Sequence, residues 1–256
     1  MSHPESPWSY TDFSFLGAIG LGMVAIICLI SLAKEYVLVA LALLVVVCFL
    51  LGSIPWGLVI SKSVYHTDIR EHGSGNIGTT NAMRTMGKKG GAAVFLLDFG
   101  KGLLSGLVAL FVLACFVPGA GVTADAPVSS ATVLALAFVS CTLGHIFSPW
   151  LKFKGGKGIA VAVGCLFVTF GPMGALLEIA VFAIVVAITR YVSAGSLAAA
   201  VTCPIFAAYY FLFQSFHPVA WVICLITAIV VVWAHRGNIS RLVHGNERRI
   251  GEKAKD

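Results

Sequence analysis

The sequence predicts an all-α polytopic membrane protein, a core of seven transmembrane helices with an additional helix proposed ahead of it at the N-terminus. Three observations carry that prediction. The 256 residues are 59% hydrophobic and 11% charged, where a soluble domain carries about a quarter charged residues. Apolar runs long enough to cross a bilayer, about 18 residues or more, follow one another along the chain. The Lys and Arg residues fall between those runs, so the net charge of +6 reports topology and gives no reason to expect a nucleic-acid partner. At about 20 apolar residues per crossing, the length holds seven or eight spans and no separate soluble catalytic domain.

The first run, 13–33, reads as the additional helix, with a membrane-surface segment as the alternative; the turn Lys34-Glu35-Tyr36 would join it to the next. The first twelve residues contain no Lys or Arg, so no cleavable signal peptide is expected. The runs 37–61, 90–117, 128–150, 191–215 and 218–235 each read as one span. The stretch 118–130 reads as a flexible outer connection. The run 158–189 is too long for one helix, and Gly171-Pro172 interrupts it. Two helices there, 158–170 and 173–189, put sixteen of the seventeen Lys and Arg on the cytoplasmic side, leaving only Lys34 outside. One kinked helix would instead export the tail with its six cations. The resulting organisation is an N-terminal extension at 1–36, a core at 37–250 and a cytoplasmic tail at 251–256.

Seven cysteines (Cys28, Cys48, Cys115, Cys141, Cys165, Cys203, Cys224) stand singly in apolar stretches. With no CxxC pair, they read as buried packing residues, and no metal or cofactor site is expected. No internal repeat stands out.

The polar sequence gathers in three clusters, all assigned to the cytoplasmic side. The first, HGSGNIGTTNAMRTMGKKGG from His72 to Gly91, mixes glycines with Ser74, Asn76, Asn81 and Arg84. Glycines such as Gly73 and Gly75 let the backbone approach an anion, and a helix is expected to begin near Gly90 with its positive dipole end at the cluster. The second, from Gly144 to Ala160, contains Lys154-Gly155-Gly156-Lys157-Gly158 immediately before a short helix. It shares the logic of a phosphate cradle without the GxxxxGK[ST] spacing, so a phosphorylated small molecule is expected and nucleotide hydrolysis is not. In the third, His235, Asn238 and Arg241 recur every three residues along one side of a helix. Asp98 and Lys101, at i and i+3 inside a span, read as a structural ion pair. Ser193 and Ser196 either cap the next helix or touch substrate.

Together, GSGNIGTTNAMRTMGKKGG, GHIFSPWLKFKGGKGIA and HRGNISRLVHGNE, in this order and separated by apolar spans, resemble the bacterial membrane acyl-phosphate:glycerol-3-phosphate acyltransferases, the PlsY family, over roughly residues 45 to 250. The resemblance implies a seven-helix enzyme of the bacterial inner (cytoplasmic) membrane, with active site and C-terminus facing the cytoplasm. It implies transfer of a fatty acyl group from acyl phosphate to the 1-hydroxyl of sn-glycerol 3-phosphate, the first acylation of phospholipid biosynthesis. On this chain it makes Ser74, Arg84, His235 and Asn238 catalytic. By the resemblance substrate binding falls to Lys154, Gly155, Gly156, Lys157, Gly158 and Ser193, and Glu247 matches a glutamate of structural importance; the chemistry of the first cluster adds Gly73, Gly75, Asn76 and Asn81. Membrane lipid is the surrounding partner, and no obligate protein partner is indicated. Soluble-headed glycerolipid acyltransferases use a His with an Asp five positions later, and none of the seven His here has one. An organic-phosphate transporter is the alternative of a different class.

Overall fold

The computed structural model describes residues 37–117, 128–214 and 216–252. The run 13–33, Cys28 and most of the outer connection lie outside the described residues. Within them the chain is helical: α1 (Val37–Ser53), α2 (Trp56–Ser63), α3 (Thr79–Phe116), α4 (Ser130–Ile146), α5 (Ile159–Thr169), α6 (Gly171–Thr189), α7 (Val192–Ala208), α8 (Pro218–Ala234) and α9 (Arg236–Val243). Five segments, Val37–Ser63, Thr79–Phe116, Ser130–Leu151, Gly171–Thr189 and Val192–Gln214, are long and apolar enough to cross a membrane. The pair α8 and α9, bent by 57° at its junction, makes a sixth.

The seventh expected span is α5, and its 11 residues reach only about 16 Å, roughly half the hydrocarbon thickness. The break expected in the 158–189 run is real, one residue from its expected place. Phe170 ends α5 outside helical geometry and Gly171 takes φ 72°. The two helices form a hairpin whose ends return to the same side. Lys157, just before α5, lines one cavity with Glu247 and Ile250, and Arg190, just after α6, donates to the Ile250 carbonyl at 3.0 Å. A straight helix of 31 residues would separate those ends by about 45 Å.

Close backbone crossings hold the bundle. A Cβ on Gly52 would collide with the Cys141 carbonyl and one on Gly144 with the Phe49 carbonyl, so α1 and α4 touch backbone to backbone. Gly102 against the Val161 carbonyl and Gly164 against the Phe99 carbonyl make the same reciprocal contact between α3 and α5. Lipid offers no hydrophobic drive to bring helices together, so small residues that admit close van der Waals approach do that work. Of the six described cysteines five are buried, and Cys115 is only half-buried.

The first polar cluster departs from expectation. Its helix begins at Thr79, eleven residues before Gly90, and is interrupted at Gly87, where φ 73° and ψ −174° break the helical path. The cluster is therefore a short glycine loop feeding a helix, with a second bend inside.

Candidate active site

The loop from His72 to Gly78 is shaped by one side chain. Asn81, 2% exposed, accepts the Ser74 N–H at 2.8 Å and donates to the Ile69 and His72 carbonyls at 3.1 and 3.0 Å. Both of its amide hydrogens are thus engaged. Asn81 therefore builds the loop, and it also lines the cavity with Ser74 and Arg84. Gly73 and Gly75 adopt φ 61° and 69°, the left-handed region that glycine enters without strain. A Cβ on Gly73 would also strike Asn81 Oδ1. Asn76 accepts the Gly78 N–H at 2.9 Å, turning the chain into α3. Gly73, Ser74, Asn76, Thr79, Thr80, Asn81 and Arg84 line one large cavity, whereas Gly75 is outside its lining and donates its N–H to the His72 carbonyl.

The second cluster divides in a way the sequence did not show. Lys154 is exposed and lies outside the cavity lining. Gly155 and Gly156 spend their N–H groups on the Ile146 and His145 carbonyls, both at 3.0 Å. Their backbones press so closely on His145 that any side chain would collide with it. These two N–H groups are engaged within the protein, and of the expected phosphate cradle Lys157, Gly158 and the start of α5 line the cavity. Gly158 takes φ 85° as the residue before α5, so the first N–H groups of that helix point outward from its amino end.

The third cluster is organised by Glu247. Its Oε1 accepts from Ser193 at 2.8 Å and from Asn238 at 2.7 Å, and its Oε2 accepts from Arg241 at 2.7 Å. One carboxylate thereby ties the start of α7 and α9 to the segment that follows α9. Burial works against its charge, but the three hydrogen bonds outweigh burial and hold the carboxyl below its usual range. Ser193 and Ser196 cap nothing: Ser193 turns to Glu247, and Ser196 donates to the Val192 carbonyl at 3.0 Å. Both line the cavity.

His235 sits at the bend between α8 and α9, 2% exposed. Its Nδ1 lies 2.8 Å from the Val231 carbonyl, which can only accept. That contact assigns the ring hydrogen to Nδ1 and leaves the Nε2 lone pair as the acceptor at the cavity wall.

The cavity, about 920 Å³, has two regions. Arg84, Lys157, Arg241, Arg248, His235 and the starts of α3 and α5 line its polar end, while Leu166, Ile179, Phe182, Ala200 and Ala228 line an apolar arm. Arg84 and Arg248 also border an adjoining cavity of about 620 Å³. Sequence reasoning assigned no role to Arg248 or Glu178. Glu178 is the one acidic residue in the run 158–189; it is buried against Thr202, whose hydroxyl donates to it at 3.0 Å, and it lines the same cavity. That solitary charge was the available signal.

Lys157 carries a pH consequence. Burial disfavours its ammonium and brings it down to about 8, with Glu247 opposing that shift and Arg241 and Arg84 adding to it. The positive charge is present below that pH and lost above it. The apparent affinity for an anionic substrate is therefore expected to fall as pH rises through about 8, and Lys157→Arg should move that fall to higher pH. A pH series of KM with both proteins checks it.

The profile of the family described as Glycerol-3-phosphate acyltransferase matches residues 42–245. A protein of that name from Thermosynechococcus vestitus is 40% identical over 217 residues, covering 83% of this chain and 96% of the relative. Another of that name, from Clostridioides difficile, is 37% identical over 221 residues, covering 86% and 97%. Among solved structures, the crystal structure of PlsY, an integral membrane glycerol 3-phosphate acyltransferase, in its glycerol 3-phosphate form, superposes with a TM-score of 0.69. It is 33% identical, with 82% of this chain and 96% of that one covered. Its lysophosphatidic acid form gives 0.67 at 32% identity, covering 82% and 95%.

Proposed function

The chain belongs to the glycerol-3-phosphate acyltransferase family, and from that premise we propose that its acyl donor is an acyl phosphate and that the reaction takes place at the cytoplasmic face of a bacterial inner membrane. It is an integral membrane acyltransferase of lipid biosynthesis, and the transporter alternative falls with the family assignment. The observation that carries the donor is the pairing of two anion-attracting places in one cavity: the start of α3 with Arg84, and the start of α5 with Lys157. Helix starts present unpaired N–H groups and a positive dipole end. Two such places suit two phosphates, with the fatty chain in the apolar arm. The cations at this end of the bundle support the orientation. Residues 37–250 form the catalytic core in this reading, with 1–36 an extension and 251–256 a tail.

The chemistry needs little from side chains beyond position and charge. An acyl phosphate is an activated mixed anhydride, so holding both substrates in line supplies much of the rate. The 1-hydroxyl of glycerol 3-phosphate donates a hydrogen bond to His235 Nε2 and attacks the acyl carbon. The new ester C–O bond forms, the bond from acyl carbon to phosphate oxygen breaks, and the hydroxyl hydrogen turns from Nε2 to the departing phosphate oxygen, which carries it away. Ser74 and Arg84 face the developing charge, and Asn238 keeps α9, and with it His235, in register through Glu247. Products are 1-acylglycerol 3-phosphate and phosphate.

The test supplies purified protein with glycerol 3-phosphate and either palmitoyl phosphate or palmitoyl-CoA. Lysophosphatidic acid is expected only from the acyl phosphate. Equal product from the CoA ester would overturn the donor and leave the acyltransferase intact.

A further inference from the structure

Three ionisable side chains are almost completely buried at or just behind the cavity wall, and the proposed chemistry gives none of them a role. Asp98, Lys101 and His145 are 1%, 4% and 4% exposed, and they join the middle of α3 to the ends of α1 and α4. The Lys101 ammonium makes two hydrogen bonds and an ion pair. It donates to the Ile54 carbonyl at 2.8 Å, lies 2.9 Å from Asp98 Oδ1, and lies 2.9 Å from His145 Nδ1. The expected ion pair between Asp98 and Lys101 is therefore present, with a third member.

That third member has a defined state. An ammonium only donates, so His145 Nδ1 must accept, and this assigns the ring hydrogen to Nε2. Asp98 Oδ1, 3.7 Å from Nδ1, is too far to hydrogen-bond it. The Nε2–H lies directly under Gly156, where a Cβ would collide with it, two residues from the cavity-lining Gly158. Asp98 and His145 both line the cavity. Lys101 and Asp98 thus hold in one tautomer an imidazole that lines the cavity together with Lys157.

We infer that His145 is a further substrate-binding residue: its Nε2–H donates a hydrogen bond to glycerol 3-phosphate in the cavity, and the Asp98 and Lys101 pair positions it by fixing the ring. The inference rests on the reading of this cavity as the glycerol 3-phosphate site. A neutral donor there complements Lys157, because it holds an oxygen in place without adding charge to an already cationic mouth. His145 reaches the ligand through its side chain while its carbonyl anchors Gly156, so one residue both builds the loop and reads what the loop holds.

Two substitutions separate the donor from the fold. In His145→Asn the shorter amide reaches the Nδ1 position, keeps the Lys101 contact and loses the distal donor. In His145→Gln the longer amide places an N–H near the Nε2 position. The expected result for His145→Asn is a KM for glycerol 3-phosphate raised about tenfold, with kcat and the KM for palmitoyl phosphate changed less than about threefold. His145→Gln should restore the KM for glycerol 3-phosphate to within about threefold of the parent. The paired change Asp98→Asn with Lys101→Met, which removes both buried charges together, should raise the same KM. A His145→Asn enzyme with parental KM for glycerol 3-phosphate would overturn the inference, as would equal losses for both substrates. If the parent enzyme itself fails to acylate glycerol 3-phosphate, the reading of the cavity fails first and this inference with it.

Discussion

Replacing His235 with Ala is expected to lower kcat by about 100-fold, the scale on which misplacing a reacting group slows a reaction. The expectation rests on the bend between α8 and α9. The Val231 carbonyl takes the Nδ1 hydrogen at 2.8 Å, so the ring offers an acceptor at the cavity it lines; His244 makes the same contact to the Ser240 carbonyl but is exposed and outside the cavity lining. His145 presents the opposite tautomer. Because the acceptor aligns the hydroxyl and the leaving phosphate takes the proton, the effect should fall on kcat far more than on KM for either substrate. Steady-state kinetics of the purified variant checks it. A kinetic pKa near that of histidine in the parent, absent from a His235→Ala enzyme with residual activity, would instead make His235 the proton acceptor.

The second large effect belongs to Arg84. Its guanidinium makes no ion pair with any described residue, although Glu247 lines the same cavity. An unpaired arginine at the junction of two cavities is preorganised to meet a charge that arrives with substrate or grows during reaction. Arg84→Ala is expected to reduce kcat/KM about 100- to 1,000-fold, the magnitude of losing one preorganised donor to a developing oxyanion. Arg84→Lys should recover only part, since a point charge replaces a planar fork that can grip two oxygens. Unchanged kinetics in Arg84→Ala would remove the residue from the site.

Much of this was legible in the chain, for identifiable reasons. Apolar runs and the placement of cations predicted the helices and, through the charge count, the break at Gly171. They overstated α5, because hydropathy counts the apolar residues between two breaks and cannot tell a half-length helix from a full crossing. Clustered glycines located the polar end correctly but concealed a division of labour. Gly158 is at the cavity with φ 85°, while Gly155 and Gly156 are there because His145 leaves no room for a side chain. The two uses look alike in sequence. Lys154 and Lys157 are likewise equivalent by spacing, yet only Lys157 reaches the cavity, because the backbone turns between them.

The long-range partners were the least legible. Glu247 collects hydrogen bonds from Ser193, 54 positions away, and from Asn238, nine away. Lys101 meets His145 across 44 residues. Nothing local in the chain marks such pairs, since each depends on how α3, α4, α7 and α9 pack. The ion pair of Asp98 with Lys101 was visible because its spacing of three falls within one helix turn.

The most direct test of the account is a structure of this protein with glycerol 3-phosphate bound. The account predicts the substrate phosphate at Lys157 and the first N–H groups of α5, and the 1-hydroxyl about 3 Å from His235 Nε2, within hydrogen-bonding reach. Glycerol 3-phosphate bound with its 1-hydroxyl beyond reach of His235, or with its phosphate away from Lys157 and α5, would contradict it.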